Sequence, residues 1–446
     1  MSRIVPPLLA SVLMMASLGA AAADLVVWWE KGYYAGEDAA VREIIAAFEQ
    51  KTGRRVDLTF YEELELPTKI VAALEAGQPP DFAFGLELLF HIPEWAYEDQ
   101  LADLEGPLSP VLGLFDADAI EASMLLNHST GTRALYGLPM ALATNHVHVW
   151  KSLLERAGFT LADIPKQWAA FWSFWCDQVQ PAVRQALGRE DIWGIGLAMS
   201  TALDAQDEVV QFQLAYDASW IGRDGRLRID DAAVRAGMTT ALDDYTAIWR
   251  KGCTPPDSRS WANVDNNKAF LAQRVVLTVN PTLSIPSALR TASPDDYYRN
   301  VVTIDWPEGA NGQPLVLMGD VQRAVVFKAG GNPALAGDFV RFLAEEGWLA
   351  HWLDFAGDRY LPPMRKLVEQ PFWLDTSDPH RIRSAIQILT RTHLPLYTGV
   401  QDHERQSGLI WRNVWGSAVQ RVVTDGISPE QAVDEAIARI KQILSD

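Results

Sequence analysis

Trp28, Trp29, Glu30, Lys31, Tyr33 and Tyr34 crowd four aromatic rings and a charge pair into one short stretch. The rings offer flat apolar faces, and Glu30 and Lys31 set hydrogen-bonding groups beside them. A sugar ring has the complementary chemistry, with apolar C–H faces and hydroxyl edges. The competing reading is that Trp28 and Trp29 plug a core. Tyr61, Glu62 and Glu63 form a second such group, and Glu87 after Gly85 and Leu86 a third. Two carboxylates held ~5–9.5 Å apart can act as acid and base across a glycosidic bond. Glu30, Glu62, Glu87 and Asp204 have that chemistry, but no motif fixes a pair, and a solvated loop is the favoured reading of Glu62 and Glu63. No GxSxG or HExxH occurs, which removes the usual serine and zinc hydrolase signatures. Trp193-Gly194-Ile195-Gly196 lacks the rest of a phosphate-cradling loop. His146 and His148 share one face if they lie on a strand, but no third metal ligand of suitable spacing is near, so a packed or exposed pair is expected and no metal or cofactor.

These residues must be carried by alternating strands and helices. Residues 25–27 are an unbroken apolar run, as in a strand covered on both faces. Val41, Ile44, Ile45 and Phe48 then recur at helical spacing, and Gly53 stops that helix. Val56, Leu58 and Phe60 alternate as a strand. Ile70, Ala73 and Leu74 mark a second helix, and residues 82–84 a third strand. This order predicts an α/β fold with a parallel sheet, in which ligands bind beyond the carboxyl ends of the strands. The aromatic and acidic groups above all fall there. Behind Pro165, Trp168, Phe171, Trp172 and Trp175 form a helical stripe best read as core.

The 446-residue chain carries a net charge of −19 without a basic cluster. Phosphate backbones and anionic membranes are therefore poor partners. Residues 1–23 have the pattern of a cleavable secretory signal: Arg3, an apolar run over 4–18, then Ala21-Ala22-Ala23. Asp24 is the expected mature N-terminus, and the absence of a nearby cysteine argues against a lipid anchor. Cys176 and Cys253 match no zinc signature and, in an oxidising compartment, are expected to form a disulfide.

The chain resembles the family 1 extracellular solute-binding proteins, the maltose-binding type serving ATP-driven importers. The resemblance is carried by the tryptophan-bearing first strand, Lys51-Thr52-Gly53 and Gly77-Gln78-Pro79-Pro80-Asp81. Further on it is carried by Tyr136-Gly137-Leu138-Pro139, Lys268-Ala269-Phe270, Leu361-Pro362-Pro363 and Ser428-Pro429-Glu430-Gln431-Ala432. A Tyr-Asn-Lys expected near Trp150 is replaced by Val149-Trp150-Lys151. The resemblance implies a periplasmic-binding-protein type II-like fold, two α/β lobes with a ligand cleft and multiple crossovers. It implies a discontinuous N-terminal lobe over 24–141 and 276–346, and a C-terminal lobe over 142–275 and 347–446. The strand at 275–279 would return the chain to the first lobe. The first crossover would place Thr144 and Asn145 at the cleft, and the last would place Arg359 and Tyr360 there. Asp320 would lie on a loop near the ligand, with Asn280 at a strand end and Asp204 and Gln206 on the facing lobe. The implied function is periplasmic capture of a sugar or polyol by a monomer, for delivery to the permease and ATPase of an ABC importer. A secreted carbohydrate-cleaving enzyme using a carboxylate pair is the alternative, and a binder of an organic acid or amine a third. The acidic bias of the loops argues against an anionic ligand.

Overall fold

The computed structural model describes residues 23–222, 224–345, 347–357, 359–390, 393–395 and 404–445. The predicted signal segment thus lies almost wholly outside the described residues. Strands β1 (Leu25–Glu30), β2 (Val56–Tyr61) and β3 (Phe82–Phe84) come first, then a hairpin, β4 (Met124–Asn127) and β5 (Thr132–Leu135). β6 (Leu138–Thr144), β7 (His146–Trp150), β8 (Trp193–Gly196) and β9 (Val275–Asn280) follow. β10 (Val301–Ile304), β11 (Leu317–Val326) and β12 (His393–Pro395) complete the described set.

The strands form two main sheets. One runs β12-β11-β3-β1-β2, with β6 also on β11; the other runs β10-β7-β9-β8. β1 pairs in parallel with both β2 and β3, as the alternation of strand and helix predicts. Each sheet has its own core. Trp29, Phe48, Phe82, Phe339 and Trp352 fill the first, and Trp150, Trp175, Trp220, Tyr245 and Trp415 the second. The stripe of the helix Ala35–Thr52 (Val41, Ile44, Ile45, Phe48) is buried against the first sheet. Trp168, Phe171, Trp172 and Trp175 are core, on a helix that widens to π geometry over Phe174–Val179. Cys176 and Cys253 are bonded to each other.

The crossings differ from expectation in two places. The first falls at Asn145, between β6 in one sheet and β7 in the other. β9, expected to return to the first lobe, stays in the second sheet between β7 and β8, and β10 joins it there. All six β9 residues are buried, a pattern any central strand shows, so it carries no information about which sheet receives it. The return comes only with β11. The helix Trp348–Phe355, expected in the second lobe, puts Leu349, Trp352 and Leu353 into the first core. The next crossing therefore follows it, where Leu361 and Leu142 exchange backbone hydrogen bonds of 2.8 and 3.0 Å.

The helix Ser407–Asp425 joins the two bodies. Gln206 Oε1 accepts the Trp415 N–H at 2.8 Å from the second-lobe side. At its other end Gly408 lies against the Phe90 carbonyl, just beyond β3. His146 and His148 share a face of β7 with their rings stacked 6.0 Å apart. His146 meets Ser384 Oγ at 2.7 Å and His148 meets Thr303 Oγ1 at 3.0 Å. Among the described residues no cluster of three His, Cys, Asp or Glu side chains is placed to hold a metal, and no helix is long and apolar enough to cross a membrane.

Candidate functional site

Because β1, β2 and β3 run parallel, the residues just past their ends meet along one edge. Glu30 ends β1, Glu63 follows β2 and Glu87 follows β3. The Leu86 N–H donates to Glu30 at 2.6 Å. Burial pushes the Glu30 carboxyl up to about 8; the Leu86 hydrogen bond and Arg359 oppose this, and Glu63 and Glu87 add to it. Glu63 is likewise raised by the protein around it, with Arg359 pulling the other way. Beside them Tyr34 caps the helix Ala35–Thr52, its N–H donating to Glu37 at 3.0 Å. Glu37 is only 2% exposed and forms an ion pair with Arg359 at 3.1 Å. The Arg359 guanidinium lies 4.5 Å from the Tyr360 ring centre and 5.4 Å from that of Tyr33, a cation–π arrangement. The Tyr34 hydroxyl donates to the Ser284 carbonyl at 3.3 Å, linking this edge to the segment after β9.

A cavity of 380 Å³ opens between the two bodies. Leu64, Glu87 and Phe90 line it from the first, and Thr201, Trp261 and Asn263 are among the residues lining it from the second. The second wall is tied together: Asn263 Oδ1 accepts the Leu203 N–H at 2.8 Å, and the Ser200 hydroxyl donates to the Trp261 carbonyl at 2.6 Å. Asp204 lies one residue beyond, in the first turn of the helix Leu203–Ala215. It is buried, Oδ2 meets no protein donor, and burial pushes its carboxyl up to about 8. One turn on, burial raises Glu208 strongly, with Asp204 adding, while the Tyr245 hydroxyl lies 2.5 Å from it.

The family model for bacterial extracellular solute-binding proteins matches residues 43–381. The chain belongs to that family. Its solved structural neighbours share the fold at low identity. A solute-binding protein of an ABC transporter from Thermotoga lettingae TMO, bound with alpha-D-tagatose, superposes with a TM-score of 0.74 at 19% identity, over 94% of this chain and 99% of that one. Maltose-bound MalE3 of T. maritima gives 0.72 at 16% identity, over 94% and 99%. A sugar transporter protein from Arthrobacter chlorophenolicus A6 with laminaribiose gives 0.73 at 14%, over 94% and 98%. No curated protein sequence matches significantly.

In this solute-binding protein the expected site residues divide into groups. Glu30, Tyr33, Tyr34, Glu87, Arg359 and Tyr360 come together at the strand-end edge. Trp28 and Tyr61 are half-buried and meet edge to face at 5.0 Å. Trp29, expected beside the ligand, is instead core: it is 2% exposed, within 5.1–6.1 Å of the rings of Phe82, Phe84 and Trp352. Successive strand residues point to opposite faces, and helices cover the face that Trp29 takes. Glu62 turns to solvent and pairs with Lys31 at 2.8 Å. Thr144 and Asn145 are fully buried at the crossover, where Thr144 Oγ1 donates to the Met318 carbonyl at 2.7 Å and the Trp306 indole to the Asn145 carbonyl at 2.8 Å. Gln206 holds the helix Ser407–Asp425 rather than facing the cavity. Asn280 braces its own turn through Thr282 and Ser284. Asp320 lines a separate cavity of 200 Å³ with Asp116, Leu142 and Arg365, and burial pushes it up to about 7. Sequence reasoning left out Glu37, Phe90, Trp261 and Asn263. For Glu37 a signal existed, the acid three residues into a helix whose N-cap is Tyr34; for the others it lay only in long-range contacts.

Proposed function

We propose that the protein captures a sugar or related polyhydroxy solute between its lobes and delivers it to the permease and ATPase of an ABC importer. It works as a periplasmic monomer without catalysis. The observation that carries this is the cavity between the two sheets, with strand-end carboxylates on one wall and hydroxyl, amide and indole groups on the other. Carboxylates accept from sugar hydroxyls, and Trp261 and Phe90 offer apolar surface for C–H faces. Neighbours of the same fold crystallised with tagatose, maltose and laminaribiose support the same ligand class. Family membership favours this reading over the carbohydrate-cleaving alternative.

The working cycle is closure. A solute that touches both walls binds the closed form better than the open one, and that difference shifts the population. Calorimetry of the mature protein against a panel of mono- and oligosaccharides tests the ligand class. X-ray scattering with and without the best binder tests the closure. The expected result is micromolar or tighter binding with a smaller radius of gyration; silence across the panel sinks the carbohydrate reading.

A further inference from the structure

We propose that the captured solute carries a positive charge and, on the carbohydrate reading above, is an amino sugar. The hydroxylated frame rests on that reading; the charge rests on the inventory of groups along the cleft. Three adjacent parallel strands each deliver a glutamate to one edge, Glu30, Glu63 and Glu87, close enough that Glu30 responds to both others. The cation acting on them, Arg359, is already engaged. It is 9% exposed, paired with Glu37 and flanked by the Tyr33 and Tyr360 rings. Lys31 is turned outward to Glu62, and Arg290 acts on Tyr34. The facing wall brings Thr201, Ser260, Trp261 and Asn263, which carry no charge, and behind them the buried Asp204 with an oxygen that no protein donor meets. The cleft thus holds more carboxylates than its own cations neutralise. Buried carboxylates without a counter-charge stay protonated or find a cation. An ammonium on the solute supplies three donors and a full charge to such an edge, whereas a hydroxyl supplies one donor and none.

The test is calorimetry on the mature protein at two salt concentrations. The probes are D-glucosamine and its β-1,4-linked di- and trisaccharides, the matching glucose, cellobiose and cellotriose, the N-acetylated amino sugars, and putrescine. The amino sugars are expected to bind at least tenfold tighter than their neutral and N-acetylated counterparts, with an advantage that shrinks as salt rises. E63Q and E87Q should each narrow that ratio. Neutral or N-acetylated sugars binding as tightly as amino sugars overturns the charge assignment and leaves the carbohydrate reading standing. Putrescine binding while every sugar is silent overturns the carbohydrate frame while keeping the charge. Silence from every probe overturns both.

Discussion

Gly408→Ala tests whether the helix Ser407–Asp425 takes part in closure. A Cβ on Gly408 would lie 1.6 Å from the Phe90 carbonyl oxygen and 2.6 Å from its carbon. Ordinary non-bonded contact needs roughly 3.5 Å, so the helix and the segment after β3 must separate by about 1.5–2 Å. That segment carries Glu87 and Phe90 into the cavity. The helix cannot easily yield, because Gln206 Oε1 accepts the N–H groups of Trp415 and Gly416 at 2.8 and 3.3 Å and fixes it to the second lobe. Overpacking of this kind costs about 1–3 kcal/mol. Where the contact forms only on closure, the cost falls on the closed state, and affinity drops about 5- to 150-fold. Calorimetry with the best-binding solute reads this directly, and thermal unfolding without ligand provides the control. The expected pattern is weakened binding with an almost unchanged unfolding midpoint. Wild-type affinity in a variant whose midpoint has fallen would refute the reasoning, since the contact would then belong to the resting fold and not to the closing motion.

Arg359→Met strands the buried Glu37 carboxylate without its cation; removing one partner of a buried pair costs about 3–5 kcal/mol, and a urea titration matching wild type would contradict the burial of this pair. Cys253→Ser opens a loop spanning 77 residues; a loss of about 2–5 kcal/mol is expected, and reductant should bring the wild-type curve to the variant's. Glu30 is raised from 4.5 to about 8 in the fold, so between those values the folded state holds a proton that the unfolded chain releases, and stability falls as pH rises through that window. Glu30→Gln should flatten this decline in unfolding free energy measured from pH 4.5 to 8; an unchanged slope would show that Glu30 is not the group responsible.

The α/β order, the three opening strands and the buried stripe of the first helix were legible because each is written in local periodicity. Val41, Ile44 and Phe48 can meet a sheet only one way once the helix forms. Which sheet a strand joins is not local: the fully buried β9 suits the centre of either. The same limit applies at the site. Alternation shows that Trp28 and Trp29 face opposite ways, but Trp29 is sealed in part by Trp352, more than 300 residues on. Glu62 and Glu63 are equivalent in sequence until Lys31 draws Glu62 outward. Trp261 and Asn263 become a wall only through the Ser200 and Leu203 contacts.

The buried polar groups at the crossovers also bear on where the molecule can bend. Gln211 accepts the Met318 N–H at 2.9 Å and donates to the Val316 carbonyl at 2.9 Å. Thr144 donates to the Met318 carbonyl, and Trp306 to the Asn145 carbonyl. These bonds tie β6, the start of β11 and the helix Leu203–Ala215 into one layer, and breaking any of them leaves a buried group unpaired at about 1–3 kcal/mol. A hinge that opened by tearing this layer would be too costly to cycle with a solute bound at micromolar strength, about 8 kcal/mol. Motion must therefore pass through small backbone rotations that preserve those bonds. The separation then appears at the far rim, where the strand-end glutamates face Trp261 across the cavity. Affinity accordingly depends on how well one solute satisfies two walls built from unconnected stretches of the chain.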